Sequence, residues 1–145
     1  MEIMGIDPGD HMGYTFATFN EDKTLTVQST GIVETYALGM TFIQNVIMGA
    51  DLDVMVVEDY IINPKVYGHD HQGDRGSTLR QIGALELVCG LGLIEMVKQM
   101  PTVKPPGYGF LGKKYSRGKT GQHAWDSMAH LAYYLVTKKG MQPLA

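Results

Sequence analysis

The sequence predicts an α/β fold, a mixed five-stranded sheet flanked by helices. Three observations carry that expectation. Short apolar or alternating runs fill the first third, helical apolar spacing then alternates with further strand-like runs, and the order reads β-β-β-α-β-α-β-α. Residues 2–7 form a short apolar strand closed by Asp7-Pro8-Gly9. Strands over 13–20 and 23–33 follow, joined by the turn Asn20-Glu21-Asp22-Lys23, and with the first strand they make a meander. Ala37, Met40, Phe42, Ile43, Val46 and Ile47 give an apolar stripe to a helix over 35–48, ended by Gly49. The unbroken run Val54-Met55-Val56-Val57, inside a strand over 53–59, suits a central strand buried on both faces. Residues 60–76, with Asn63-Pro64, Tyr67-Gly68, Gly73 and Gly76, read as an ordered loop or a flap. A helix over 77–89 starts at a Ser77 cap and is broken by Gly90-Leu91-Gly92. A strand over 93–97, a proline-bearing and then glycine-rich basic stretch to residue 121, and a helix over 122–138 complete the chain.

The 145 residues suffice for one domain, 1–145, with a sizeable core and no linker. No apolar run approaches the roughly 20 residues that span a membrane, and the N-terminus lacks a basic-then-apolar secretory pattern. The single cysteine, Cys89, allows no intrachain disulfide and reads as a buried thiol, which fits the cytoplasm. Net charge is −3, but its distribution is uneven. Residues 1–97 carry 14 acidic and 4 basic side chains; residues 98–145 carry 1 acidic and 8 basic ones, and the lone acid is Asp126. A basic segment around one carboxylate is the pattern of a phosphate-backbone surface beside a reactive group. Neither a Gly-x-Gly-x-x-Gly nor a phosphate-loop motif is present.

The acidic residues suggest one cluster. Asp7 ends the first strand, and Glu58 ends the buried-type strand, where an uncompensated carboxylate is costly. Asp59 points the opposite way along that strand, and Glu58 is the preferred of the two. His123 and Asp126 are three apart and share a helical face, with His130 one turn further. Two divalent ions about 3.5–4 Å apart can orient a water and stabilise the leaving oxygen of a phosphodiester. Carboxylates suit Mg²⁺, and an imidazole in the set is better tolerated by Mn²⁺. Asp7 would bridge the ions, Glu58 and Asp126 would each hold one, and His123 would ligate or orient water. Lys104, or a lysine of 113–119, would neutralise phosphate charge. His69-Asp70-His71 reads as a solvated loop rather than a second metal site, and Arg75 and Arg80 either contact phosphate or pair within their helix.

With these residues in place, the chain resembles the RuvC-type Holliday-junction resolvases of the ribonuclease-H-like superfamily. The resemblance rests on Gly5-Ile6-Asp7-Pro8-Gly9, Val56-Val57-Glu58 and His123-Ala124-Trp125-Asp126-Ser127-Met128-Ala129, and runs from residue 3 to about 137. Its short length and drifted loops resemble a bacteriophage branch. The resemblance implies a homodimer that binds four-way DNA junctions and makes paired, symmetric nicks at one divalent-metal site per subunit. Asp7, Glu58 and Asp126 fall where that family has catalytic carboxylates, and His123 where some members have Asp and others His. The stretch from Glu58 to Ser77 corresponds to a junction-binding loop, in which Tyr60 or Tyr67 would stack on an unpaired base or pack in the fold. Lys113, Lys114, Arg117 and Lys119, among Tyr108, Phe110 and several glycines, would grip phosphates without reading sequence. The helix from Ser77, with Leu79, Ile82, Leu85, Glu86 and Leu87, would either form the dimer face or cover the sheet. Two rival expectations are a hybrid or branched-DNA nuclease of the same fold and a junction-binding protein without activity.

Overall fold

The computed structural model of the chain describes residues 1–60, 72–119 and 121–144, with 72–75 described by backbone alone. Its sheet holds β1 (Glu2–Asp7), β2 (Met12–Phe19), β3 (Leu25–Val33), β4 (Val54–Glu58) and β5 (Glu95–Gln99) in the order β3-β2-β1-β4-β5. β1, β2 and β3 form the expected antiparallel meander. β4 runs parallel to β1, and β5 parallel to β4. The central strands alternate between two cores. Met4, Ile6, Met55 and Val57 pack with Ile43, Ile47, Ile82, Leu85 and Val88. Ile3, Val54 and Val56 pack with Leu131, Ala132 and Leu135 on the opposite face. That is why β4 reads as an unbroken apolar run: both of its faces are covered.

Among the described residues, three α-helices cover the sheet and a fourth packs on one of the three. In α1 (Tyr36–Phe42) the Thr35 hydroxyl accepts from the Leu38 N–H at 3.2 Å, and the helix continues as a wider π-helical turn over Ile43–Ile47. α2 (Gln72–Gly92) is longer than the sequence suggests at both ends. Ser77 lies inside it rather than capping it, and Gly90-Leu91-Gly92 form its last turn rather than break it. A helical glycine costs only about 1 kcal/mol, less than the burial of Ile82, Leu85, Val88 and Cys89 returns. The stop comes at Leu93, whose φ of 54° is left-handed, with the Ile94 N–H bonded back to the Cys89 carbonyl at 2.9 Å. This pushes β5 two residues later than expected.

α3 (Lys104–Phe110) lies within the proline-bearing and glycine-rich stretch, where the sequence predicts no element. Pro105 and Pro106 occupy its first turn, where no intrahelical N–H partner is lost and the fixed φ favours the helix. A Cβ on Gly107 would fall 2.3 Å from the Ala129 carbonyl oxygen, so α3 crosses α4 (Gln122–Lys139) at backbone distance. No helix among the described residues is long and apolar enough to cross a membrane.

Candidate metal centre and basic cleft

Strand parity selects the acidic residues. Ile3, Gly5 and Asp7 alternate toward the α4 side of the sheet, as do Val54, Val56 and Glu58. The β1–β4 register pairs Gly5 with Val56, and so carries Asp7 and Glu58 to neighbouring strand ends on the same face. Asp59 has the opposite parity, and its carboxylate accepts from the Tyr60 N–H instead. α4 approaches closely because the strands carry no side chain there. A Cβ on Gly13 would lie 1.9 Å from the His123 carbonyl oxygen, and one on Gly5 would lie 2.3 Å from that of Ser127. The first turn of α4 is thereby pressed onto the end of β1.

The result brings Asp7, His123 and Asp126 together, with one ligand atom from each inside 4.8 Å of the others. The His123 ring donates from Nδ1 to Asp7 Oδ2 at 2.8 Å. Two carboxylates and an imidazole at this spacing fit a hard or borderline divalent cation. Glu58 is held differently. Lys104 Nζ reaches its Oε2 at 3.1 Å and Asp126 Oδ2 at 3.5 Å, so an ammonium bridges two of the acids. The Tyr108 hydroxyl donates to the other Asp126 oxygen at 2.7 Å. His130 Nε2 lies 3.0 Å from Glu58 Oε2, and Gln99 lies behind His130.

These contacts set the proton affinities. Burial pushes the Asp7 carboxyl up to about 6, against the lowering effect of its His123 hydrogen bond. Glu58 is also opposed by burial, yet its bond from His130 and the Lys104 charge bring it below the ordinary carboxylate range. The Asp7 bond raises His123 above the usual imidazole value. Burial works against the Lys104 ammonium, but three carboxylates outweigh it and raise Lys104. The Tyr108 hydroxyl is raised by burial and by its bond to Asp126.

A cleft of about 700 Å³ opens onto His123 and Asp126 and is lined by Lys104, Tyr115, Arg117 and Lys119. A second hollow of about 340 Å³ lies beside it, with Lys113, Lys114, Lys119 and Trp125 in its wall. Lys113 Nζ sits 3.7 Å from the centre of the Trp125 ring. All four basic residues of 113–119 therefore border the cleft or its neighbour. Arg80 is exposed on α2 and lines neither, and Tyr60 is half-buried against the α2-side core. Tyr67 and His69-Asp70-His71 lie outside the described residues, as does the side chain of Arg75.

Tyr108, Gln99, His130 and Trp125 are contributors that the sequence reading does not name as site residues. Tyr108 lies in a glycine-rich basic stretch whose sequence assigns it no partner, and Gln99 gives no signal. His130 had one, its place seven residues beyond His123 on the same helical face. Trp125 was noticed only as part of the closing motif.

The sheet order and the flanking helices are those of the ribonuclease-H-like fold. Among solved structures the chain is similar to Thermus thermophilus RuvC in complex with a Holliday junction substrate, with a TM-score of 0.64 and 15% identity over 99% of this chain and 100% of that one. It is similar also to the yeast mitochondrial Holliday junction resolvase, with a TM-score of 0.65 and 12% identity over 92% of this chain and 77% of that one. The fowlpox virus Holliday junction resolvase aligns at 0.60 and 11% identity over 94% and 99%. By sequence, no family model and no curated protein matches.

Proposed function

We propose that the chain is a divalent-metal-dependent endonuclease that resolves four-way DNA junctions by phosphodiester hydrolysis. The observation that carries this reading is the convergence of Asp7, His123 and Asp126 at the mouth of a lysine- and arginine-lined cleft. The three structural relatives named above are all junction resolvases, which supports the choice of substrate over other nucleic acids. Asp7, His123 and Asp126, with Glu58 beside them, would hold Mg²⁺ or Mn²⁺, two ions per site. Bound there, such ions activate water and draw charge from the phosphate oxygens. The chain's own residues do the rest. Arg117 and Lys119 hold the backbone along the cleft, and Lys113 and Lys114 extend that grip. Lys104, already inside the acidic group, is placed to turn its ammonium toward an incoming phosphate. Tyr108 keeps Asp126 in one orientation.

Paired nicks require two such sites, and we propose a homodimer. Leu79, Leu87 and Leu91 support it: they stay exposed on α2, the last two at 63% and 67%, while Ile82 and Leu85 cover the sheet. The test is cleavage of an end-labelled four-way junction and a matched linear duplex in EDTA, Mg²⁺ or Mn²⁺, beside Asp7→Asn. Paired metal-dependent nicks near the crossover, absent in the variant, are expected. Junction binding without nicking in either metal would leave a non-catalytic junction binder. Equal cutting of duplex and junction would remove the resolvase reading.

A further inference from the structure

His130 is wholly buried, yet it is polar and lies on none of the cleft walls. Its surroundings determine where its proton sits. The Gln99 amide nitrogen lies 2.9 Å from the His130 carbonyl oxygen, which can only accept. That contact fixes the amide so that its NH₂ faces His130. The same nitrogen is 3.1 Å from His130 Nδ1. A primary amide nitrogen donates and does not accept, so Nδ1 is the acceptor and the ring carries its proton on Nε2. Nε2 then donates to Glu58 Oε2 at 3.0 Å. The chain of bonds runs from the end of β5, through α4, to the end of β4.

Glu58 needs this support. Its other partner is Lys104, 3.1 Å from Oε2 and 3.3 Å from Oε1. Lys104 also touches Asp126 and sits on the cleft wall. Once it turns to a phosphate, Glu58 keeps a single fixed contact, and that contact leaves Oε1 free to face a cation.

We propose that Gln99 and His130 are positioning residues: Gln99 fixes the tautomer of His130, and His130 holds Glu58 in the orientation that binds metal. This rests on the metal-site reading of Glu58 above. Partners of this kind, one bond behind a ligand, change metal affinity by about 10–100-fold when removed.

The test uses the full chain, Mn²⁺ alone as the probe, and two readouts. Long-range ¹H–¹⁵N spectra of the ¹⁵N-histidine protein without metal report the His130 tautomer, and the paramagnetic signal of free Mn²⁺ reports affinity. The ring is expected to be protonated at Nε2 only. Gln99→Leu is expected to lose the fixed tautomer and to weaken Mn²⁺ binding about tenfold or more. His130→Leu is expected to weaken Mn²⁺ binding by as much, and His130→Gln, which returns an N–H donor to Glu58, to recover most of the affinity. If His130→Leu does not fold by circular dichroism, Gln99→Leu decides. A proton on Nδ1 in the unmutated protein overturns the proposal. So does unchanged Mn²⁺ affinity in Gln99→Leu, or His130→Gln binding as weakly as His130→Leu. Mn²⁺ binding that obeys these expectations without any junction cutting would remove the resolvase reading and leave this inference standing. No Mn²⁺ binding by the unmutated protein would remove both.

Discussion

A buried carboxylate next to an imidazole makes the centre sensitive to acid. Asp7 must be ionised and His123 unprotonated to act as ligands, and the Asp7 carboxyl is pushed up to about 6 while His123 is raised as well. Protons and cation therefore compete for the same atoms. Mn²⁺ affinity should begin to decline as His123 takes up its proton and fall by at least roughly tenfold per unit once the pH drops below about 6. An affinity that stays flat down to pH 5 would contradict that placement of Asp7. Tyr108→Phe removes the 2.7 Å bond to Asp126 and keeps the ring. A stability loss of about 1 kcal/mol is expected by denaturant titration, with single-turnover nicking slower by about tenfold. At this scale Asp7, His123 and Asp126 were legible because a strand end and a three-residue helical spacing announce themselves in order. Glu58 over Asp59 followed from parity once one face was known. Tyr108 and Gln99 were not legible, because their role comes from how close α3 and β5 pass to α4, and no local pattern encodes that.

The elements show where local chemistry and packing disagree. The stop of α2 places a leucine, 93% exposed, in the left-handed region that glycine occupies without cost. Leu93→Gly should stabilise the protein by about 1 kcal/mol and raise its melting temperature by roughly 4 °C; an unchanged or lower value in calorimetry would refute the strain. Gly107 is the opposite case. Any side chain there meets the Ala129 carbonyl, so Gly107→Val should cost about 2 kcal/mol or more. It should also draw Lys104 and Tyr108 away from the acids, measurable as slower nicking of the junction in single turnover. The sheet was readable because two-residue alternation and the doubly buried run of β4 are strong signals. The helices were readable in place but not in extent. Pro105-Pro106-Gly107 reads as a breaker by composition, yet prolines are acceptable in a first turn and the glycine is needed for the crossing. Gly73, Gly76, Gly90 and Gly92 misled for the same reason: the penalty of each is small beside the burial along α2.

For the whole molecule, the charge split along the chain becomes a split in space. The basic C-terminal third supplies α3, the 113–119 segment and α4, and these line the cleft. Junction affinity should therefore fall steeply with salt, and Lys119→Ala should reduce the slope of log K against log salt by about one. Leu87→Lys should turn a dimer into a monomer in sedimentation equilibrium; a monomeric unmutated chain would instead remove the dimer. Residues 1–60 contribute two of the acids and the strands that carry them, but no part of the cleft wall. Asp7 and His123 meet across 116 residues of chain, and the contact waits for α4 to dock. During synthesis the N-terminal strands leave the ribosome first and begin to fold before α4 exists. A chain caught half-made, or clipped ahead of residue 122, thus holds its sheet acids with neither the imidazole nor Asp126, and the full group assembles only in molecules whose α4 has been made.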